Sequence, residues 1–170
     1  WTAYSKIGQY YWTIMAAMGI TITAFVSQNH GAQRSDRVRA GVRQALFIAS
    51  GATVAMSIVF RIFSRQFIGI FTDDEAVINS GVEILHFLSG CYILYAAGEI
   101  LIGALRGIGH SFSAMLSSLI TVCVLSVAWV YLVRPYNNVL ITLAGFPLTW
   151  IVSSVVLLIY WIILIRMHKI

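Results

Sequence analysis

Charged residues are scarce in this chain. Lys, Arg, Asp and Glu make up 10% of its 170 residues, whereas they account for about 25% of ordinary soluble domains. No charged residue occurs between Lys6 and Arg34, between Arg106 and Arg134, or between Arg134 and Arg166. Each of these intervals is longer than the roughly 20 apolar residues that a membrane-spanning helix needs. This scarcity excludes a soluble enzyme, a nucleic-acid-binding module and a disordered tail, and it predicts an all-α, polytopic protein of the lipid bilayer.

The chain is also poor in cysteine, and the usual patterns of enzyme chemistry are missing. Cys91 and Cys123 both lie in apolar stretches, which is typical of small buried side chains rather than of a disulfide or a metal site. No zinc-ligand spacing, glycine-rich phosphate loop or Ser/His/Asp set occurs in the sequence. We therefore predict no enzyme, no cofactor and no metal site. The net charge of +5 is typical of basic membrane loops and does not indicate a nucleic-acid partner.

The sequence is rich in long apolar stretches, and these divide into five predicted spans. Their bounds are about 4–28, 37–64, 73–106, 111–133 and 140–165. At the start of the third span, Thr72-Asp73-Asp74-Glu75 fits a capping box, with a hydroxyl at the cap and a carboxylate three residues later. Gly107 and Gly109 end the third span, and the short connection that follows predicts that the third and fourth spans are antiparallel neighbours.

The distribution of basic residues predicts the orientation, because Lys and Arg are enriched in cytoplasmic loops. With the 29–44 loop inside, seven basic residues are cytoplasmic and four are outside. The inner residues are Arg34, Arg37, Arg39, Arg43, Arg106, Arg166 and Lys169, and the outer ones are Lys6, Arg61, Arg65 and Arg134. The C-terminus is then cytoplasmic and the first span begins outside. The two ends of the chain then lie on opposite sides of the membrane, and we expect at least one further span upstream.

One acidic residue lies deep in an apolar span. Glu99 is placed between Tyr95 and Arg106 in the third span, and a charge at the bilayer centre costs roughly 2.5–3.5 kcal/mol on insertion scales. Tyr92, Tyr95 and Glu99 fall on one stripe of the helix. This stripe could bind a proton, a small cation or a cationic drug, with cation–π attraction from the rings. The alternative is that Glu99 pairs with Arg106 or extends to the lipid headgroups.

Met18 is a further candidate for contact with substrate. It shares a stripe of the first span with Tyr11 and Met15. Flexible thioether side chains suit apolar sites that accept many ligands. Ordinary helix packing is the alternative interpretation of this stripe.

Four short motifs, in order along the chain, resemble those of one transporter family. Ser27-Gln28-Asn29-His30-Gly31-Ala32 resembles the G-Q-N-x-G-A signature of multidrug and toxic compound extrusion (MATE) proteins. Phe71-Thr72-Asp73-Asp74 resembles the outer turn before the family's tenth helix, and Leu105-Arg106-Gly107-Ile108-Gly109 resembles its L-R-G-x-G turn after that helix. Pro147-Leu148-Thr149-Trp150 is similar to a Pro-x-x-Trp motif of many bacterial members. The residues at family-motif positions are Gln28, Asn29, Gly31, Arg106, Gly107, Pro147 and Trp150.

The resemblance implies part of a twelve-helix transporter with two lobes. On the family's pattern the chain looks like helices 8–12, most of the C-terminal lobe, with the N-terminal lobe missing. Members export organic cations and amphipathic compounds in exchange for protons or sodium ions, which implies an antiporter of the bacterial cytoplasmic (inner) membrane working by alternating access. Some members carry an acid in the tenth helix about three turns before the L-R-G turn, where this chain has Tyr95, with Glu99 one turn further in.

Two other functions remain open at this point. The wider superfamily also includes flippases that move lipid-linked sugars. The hypothesis from a different class is a membrane assembly subunit that transports nothing. The function of such a subunit would not require Glu99 and two tyrosines on one stripe. Substitutions on that stripe distinguish the transporter from the assembly subunit, because the latter would tolerate them.

Overall fold

The computed structural model describes residues 2–136 and 138–167, and these residues form helices and turns without a β-strand. Within these residues, five helical segments are long and apolar enough to cross a membrane. They are Tyr4–Gly31, Ser35–Ile62, Glu75–Gly107, Ser111–Tyr136 and Val139–Arg166. The predicted all-α fold with five spans is thereby confirmed. Of the predicted basic C-terminal residues, Lys169 lies outside the described residues.

The described part of the chain contains eight α-helices, of which seven belong to the five spans. The first span is α1 (Thr2–Gly31) and the second is α2 (Ser35–Ile62), followed by a short helix, α3 (Ser64–Gly69). The third span is α4 (Glu75–Gly107). The fourth consists of α5 (Ser111–Ser118), a π-helical turn (Leu119–Val124), α6 (Leu125–Val133) and a 3₁₀ turn (Arg134–Tyr136). The fifth consists of α7 (Val139–Leu143) and α8 (Gly145–Arg166).

The third span, α4, is the central helix of the bundle. It packs against α1, α2 and α8, and 56% of its most apolar stretch is buried, compared with 11% for the fourth span. Apolar residues cover the whole circumference of α4, as expected for a helix with neighbours on every side. The residues of α4 are therefore the ones most constrained by protein contacts rather than by lipid.

The N-terminus of α4 differs from the predicted capping box. The N-cap is Asp74, whose carboxylate accepts hydrogen bonds from two backbone N–H groups of the first turn at 2.9 and 3.4 Å. Thr72 Oγ1 instead accepts from the N–H of Asp74 at 3.2 Å, and Glu75 pairs with Arg65. The prediction of Thr72 as the cap is wrong, because the carboxylate next to the helix reaches two unpaired amides and also interacts favourably with the helix dipole.

The C-terminus of α4 follows the prediction. The helix ends at Gly107, and Gly109 has a φ of 85°, a left-handed conformation that glycine adopts without strain. A connection of three residues (108–110) then leads into the fourth span, which packs against α4. His110 lies at the end of this turn, and its Nδ1 atom is 2.6 Å from the hydroxyl of Tyr160 on α8. This contact therefore attaches the turn between the third and fourth spans to the fifth span.

The fifth span is interrupted near its start. α7 ends at Leu143 and α8 begins at Gly145, two residues before Pro147. Proline has no N–H to donate to the carbonyl four residues earlier, which belongs to Leu143. The break in the helix therefore precedes the proline by one turn. Trp129 of α6 stabilises the break by donating a hydrogen bond from Nε1 to the carbonyl of Ile141 at 3.0 Å.

Candidate functional site

Glu99 lines a cavity in the half of the bundle that contains the α4–α5 turn. The residue lies about two turns before the end of α4, and its side chain is half-buried. The cavity has a volume of about 250 Å³ and lies between α4, the fourth span and α8. Its polar side chains include Tyr95, Glu99, Arg106, Ser118, Ser153 and Ser154. A carboxylate, a guanidinium and several hydroxyls thus face one small space within the membrane.

Two aromatic residues line the same cavity as Glu99. Tyr95 lies one turn earlier on α4, and its side chain lines the same cavity as the Glu99 carboxylate. The ring of Trp150, from the start of α8, meets the ring of Tyr95 edge-on at 5.7 Å between centroids. Since the face of an aromatic ring attracts cations, the arrangement combines a negative charge with rings that suit an organic cation.

Arg106 faces the same cavity as Glu99 but does not neutralise it directly. Its side chain is largely exposed, and in the described part of the chain no ion pair within 4 Å joins it to Glu99. A small ion at Glu99 would therefore encounter a carboxylate that is not already paired with a cation.

Tyr92 is not part of this cavity, although it shares the predicted stripe. Its side chain is fully buried, and its hydroxyl lies 3.0 Å from the hydroxyl of Tyr4. Its ring stacks on Tyr11 at 4.2 Å, and the Tyr11 hydroxyl donates to the Tyr92 carbonyl at 2.7 Å. We call Tyr4, Tyr11, Tyr92 and Thr53 the tyrosine cluster. It joins α1, α2 and α4, so Tyr92 contacts protein where Tyr95 and Glu99 face open space.

Met18 is also separate from the Glu99 cavity. It is half-buried and lines an apolar cleft of about 320 Å³ between α1 and α2, together with Phe25 and Ile48. The structure thus brings together two of the four predicted binding residues, Tyr95 and Glu99. A binding role for Tyr92 or Met18 stays a prediction.

The family-motif positions lie at helix ends. Gln28, Asn29 and Gly31 form the last turn of α1, where Asn29 Nδ2 donates to the carbonyl of Phe25 at 2.8 Å. Gly107, at the end of α4, packs tightly against α1, since a Cβ there would lie 2.7 Å from the side chain of Val26. The other motif residues are Arg106, Pro147 and Trp150, of which Arg106 and Trp150 line the Glu99 cavity.

Residues of α1 next to the site were missed by the sequence analysis. Gly19 is buried against Glu99, and Thr23 Oγ1 lies 2.8 Å from the carbonyl of Gly19 and 2.9 Å from that of Gly103. The glycines at positions 103 and 107, four residues apart, are a sequence pattern that indicates close contact between helices. This pattern could have predicted that another helix packs closely on this face of α4. Gly19, which faces Gly103 from α1, gives no such local signal, because it lies far from positions 103 and 107 in the sequence.

Apolar spans around a central helix, with an incompletely paired acid beside an aromatic-lined cavity, are typical of a membrane transporter. The MatE family model matches residues 2–132. Over 158 residues the chain is 21% identical to the probable multidrug resistance protein YoeA of Bacillus subtilis (strain 168), covering 92% of this chain and 34% of that protein. The chain therefore belongs to the MATE family, which confirms the resemblance found in the sequence.

A solved structure has the same fold. It is the inward-facing conformation of a multidrug resistance MATE family transporter of the MOP superfamily, with a TM-score of 0.85 and 15% sequence identity. The match covers 98% of this chain and 39% of the other. The chain thus spans little more than a third of the length of either relative.

Proposed function

We propose that this chain is part of the C-terminal lobe of a cation-coupled multidrug antiporter, corresponding to helices 8–12 of a twelve-helix transporter. The whole protein would export organic cations or amphipathic compounds in exchange for protons or sodium ions. The observation that carries this proposal is the Glu99 carboxylate, which lines an intramembrane cavity with Tyr95 and Trp150 and has no direct ion pair among the described residues.

The chemistry of the site suits exchange because one negative charge has two possible partners. A proton or a sodium ion can neutralise Glu99, and so can an organic cation seated against the rings of Tyr95 and Trp150. The cavity of about 250 Å³ has room for part of a drug-sized molecule but offers one carboxylate. Occupancy by the coupling ion therefore opposes occupancy by the substrate, which is the requirement for antiport at a shared site.

The other lobe and the orientation in the membrane follow from the same function. Alternating access needs two bundles that rock around a central site, and this chain covers 34–39% of the length of its two relatives. We infer that the rest of the same full-length protein supplies the other lobe. We propose that the protein lies in the inner membrane of a bacterium. The distribution of basic residues favours a cytoplasmic C-terminus.

The test is Glu99→Gln in the full-length protein, which keeps the shape of the side chain and removes its charge. Interactions with a charged group contribute about 1.5–3 kcal/mol, so we expect gradient-driven uptake to fall by about tenfold or more. The assay follows uptake of ethidium, a fluorescent organic cation, into inverted vesicles, driven in separate runs by a pH gradient and by a sodium gradient.

The matched control is Glu83→Gln. Glu83 is an exposed acid in the other half of α4, so its neutralisation tests for any general effect of removing a charge from this helix. It should leave uptake unchanged. Wild-type uptake by Glu99→Gln at equal protein levels would reject the coupling role and favour a packing role for this stripe, as in an assembly subunit.

A further inference from the structure

The Glu99 carboxylate lies directly against the backbone of α1. Gly19 is buried there, and a Cβ atom added to it would lie 2.8 Å from Glu99 Oε1 and 3.2 Å from Glu99 Cγ. Carbon and oxygen atoms that are not hydrogen-bonded do not approach to 2.8 Å without strong repulsion, since optimal separations are about 3.5 Å or more. The carboxylate therefore occupies the space that a side chain at position 19 would need.

The two helices are held together at this level, so α1 has little freedom to move aside. The hydroxyl of Thr23 bridges the carbonyls of Gly19 and Gly103, at 2.8 and 2.9 Å. A Cβ on Gly103 would lie 2.5 Å from the carbonyl oxygen of Gly19. Backbone packs on backbone here, which leaves the flexible end of Glu99 as the part that can yield.

We propose that Gly19 is a positioning residue for Glu99. The absence of a side chain at position 19 lets the carboxylate lie against α1, beside the cavity that Tyr95 also lines. A methyl group at this position forces the carboxylate to another place and weakens its binding of the coupling ion. This inference rests on the proposed function, because it assigns to Glu99 the ion that drives transport.

The atoms involved distinguish this role from ordinary glycine packing. At Gly103 an added methyl group meets a backbone carbonyl, and neither helix can yield without separating. At Gly19 it meets the end of a flexible side chain, which can rotate away at little cost to the fold. We therefore expect Gly103→Ala to lower the amount of folded protein, whereas Gly19→Ala leaves it near normal and alters the site.

The experiment compares Gly19→Ala with Gly51→Ala in the full-length protein. Both add one methyl group to a membrane span, but no atom of the described residues lies within 4 Å of the methyl position at Gly51. Ethidium uptake is measured at varied concentrations of whichever ion, proton or sodium, drives the wild type. Because a misplacement of 1 Å can reduce function about 100-fold, we expect the half-saturating ion concentration to rise about tenfold for Gly19→Ala. For Gly51→Ala it should stay within about twofold.

Three double variants test whether the effect of Gly19→Ala depends on Glu99. Glu99→Asp shortens the side chain and makes room for the methyl group, so Gly19→Ala should weaken ion binding less in the Glu99→Asp background than alone. In the Glu99→Gln background, Gly19→Ala should have no further effect on ion dependence. If Gly19→Ala does not accumulate, Gly19→Ala with Glu99→Ala must restore the folded protein, since it removes the atoms that clash.

The outcomes separate this inference from the function on which it rests. Normal ion dependence in Gly19→Ala, together with impaired Glu99→Gln, overturns the positioning role and leaves the antiporter standing. Wild-type transport by Glu99→Gln overturns both. Failure of the Glu99→Ala double variant to restore a misfolded Gly19→Ala protein also overturns the inference, because the methyl group would then be meeting rigid packing instead.

Discussion

Two polar regions of α4 differ in how completely their polar atoms are paired. In the tyrosine cluster, the hydroxyl of Tyr11 lies 2.7 Å from the carbonyl of Tyr92 and 3.2 Å from Thr53 Oγ1, and all three side chains are buried. In the cavity region, Glu99 is half-buried beside about 250 Å³ of open space. One region is closed and internally satisfied, and the other is open to a ligand.

One part of α4 contributes mainly to the stability of the bundle, and another part is the candidate binding region. Buried polar groups that satisfy one another hold a unique packing, which is the arrangement at Tyr92. A carboxylate in a membrane span that keeps an open side is costly to the fold and indicates a binding role. The tyrosine cluster therefore supports the bundle, and the cavity around Glu99 is the candidate for transport chemistry.

The largest effect that would test this contrast is loss of stability from Tyr92→Ala. Removing a fully buried aromatic side chain costs about 3–5 kcal/mol, and here it also removes the stacking on Tyr11 and the contact with the Tyr4 hydroxyl. We expect a clear fall in the free energy of unfolding of the full-length protein in detergent. Tyr131→Ala is the control, because that side chain is 76% exposed. Equal stability of the two variants would contradict a supporting role for the cluster.

A smaller effect is expected from Tyr11→Phe, which keeps the stacked ring and removes the hydroxyl. The loss of its hydrogen bonds should lower the free energy of unfolding by about 0.5–1.5 kcal/mol, without altering the ion dependence of ethidium uptake. Tyr10→Phe is the matched control, since the neighbouring Tyr10 is 71% exposed. A changed ion dependence in Tyr11→Phe would show that the two regions of α4 are not independent.

The smallest perturbation tests on which side of the membrane each end of the bundle lies. Single cysteines at Asp73 and Gln33, in a background without Cys91 and Cys123, lie in exposed turns at opposite ends of the bundle. We expect a membrane-impermeant thiol reagent to label position 73 in intact cells and position 33 in inverted vesicles, with little effect on stability. Labelling of both positions from one side would contradict the proposed five-span topology.

Local features of the sequence predicted much of the fold. Long uncharged stretches located the spans, because each needs a continuous apolar run, and Gly107 with Gly109 marked the end of α4. The cap of α4 was assigned incorrectly because several adjacent side chains could accept the same amide hydrogen bonds. Which of Thr72 and Asp74 reaches these amides depends on the backbone conformation of the turn, which the sequence pattern does not specify.

The candidate site was predicted in part. The helical stripe correctly placed Tyr95 and Glu99 together, but it also included Tyr92. This residue lies about 10 Å from Glu99 along the helix axis, towards the start of α4. Angular position on a helix does not reveal which neighbour is met at each depth. At the level of Tyr92, α1 presents Tyr4 and Tyr11, whereas at the level of Glu99 it presents Gly19.

The sequence by itself determined the five spans, the family and the presence of one deep acid, since these depend on composition and on residues near one another in the chain. Only the tertiary structure decided that Glu99 lies against Gly19 and beside Trp150. Gly19 precedes Glu99 by eighty positions, and Trp150 follows it by some fifty. Contacts over such separations arise from helix packing, in which the whole bundle selects which faces meet.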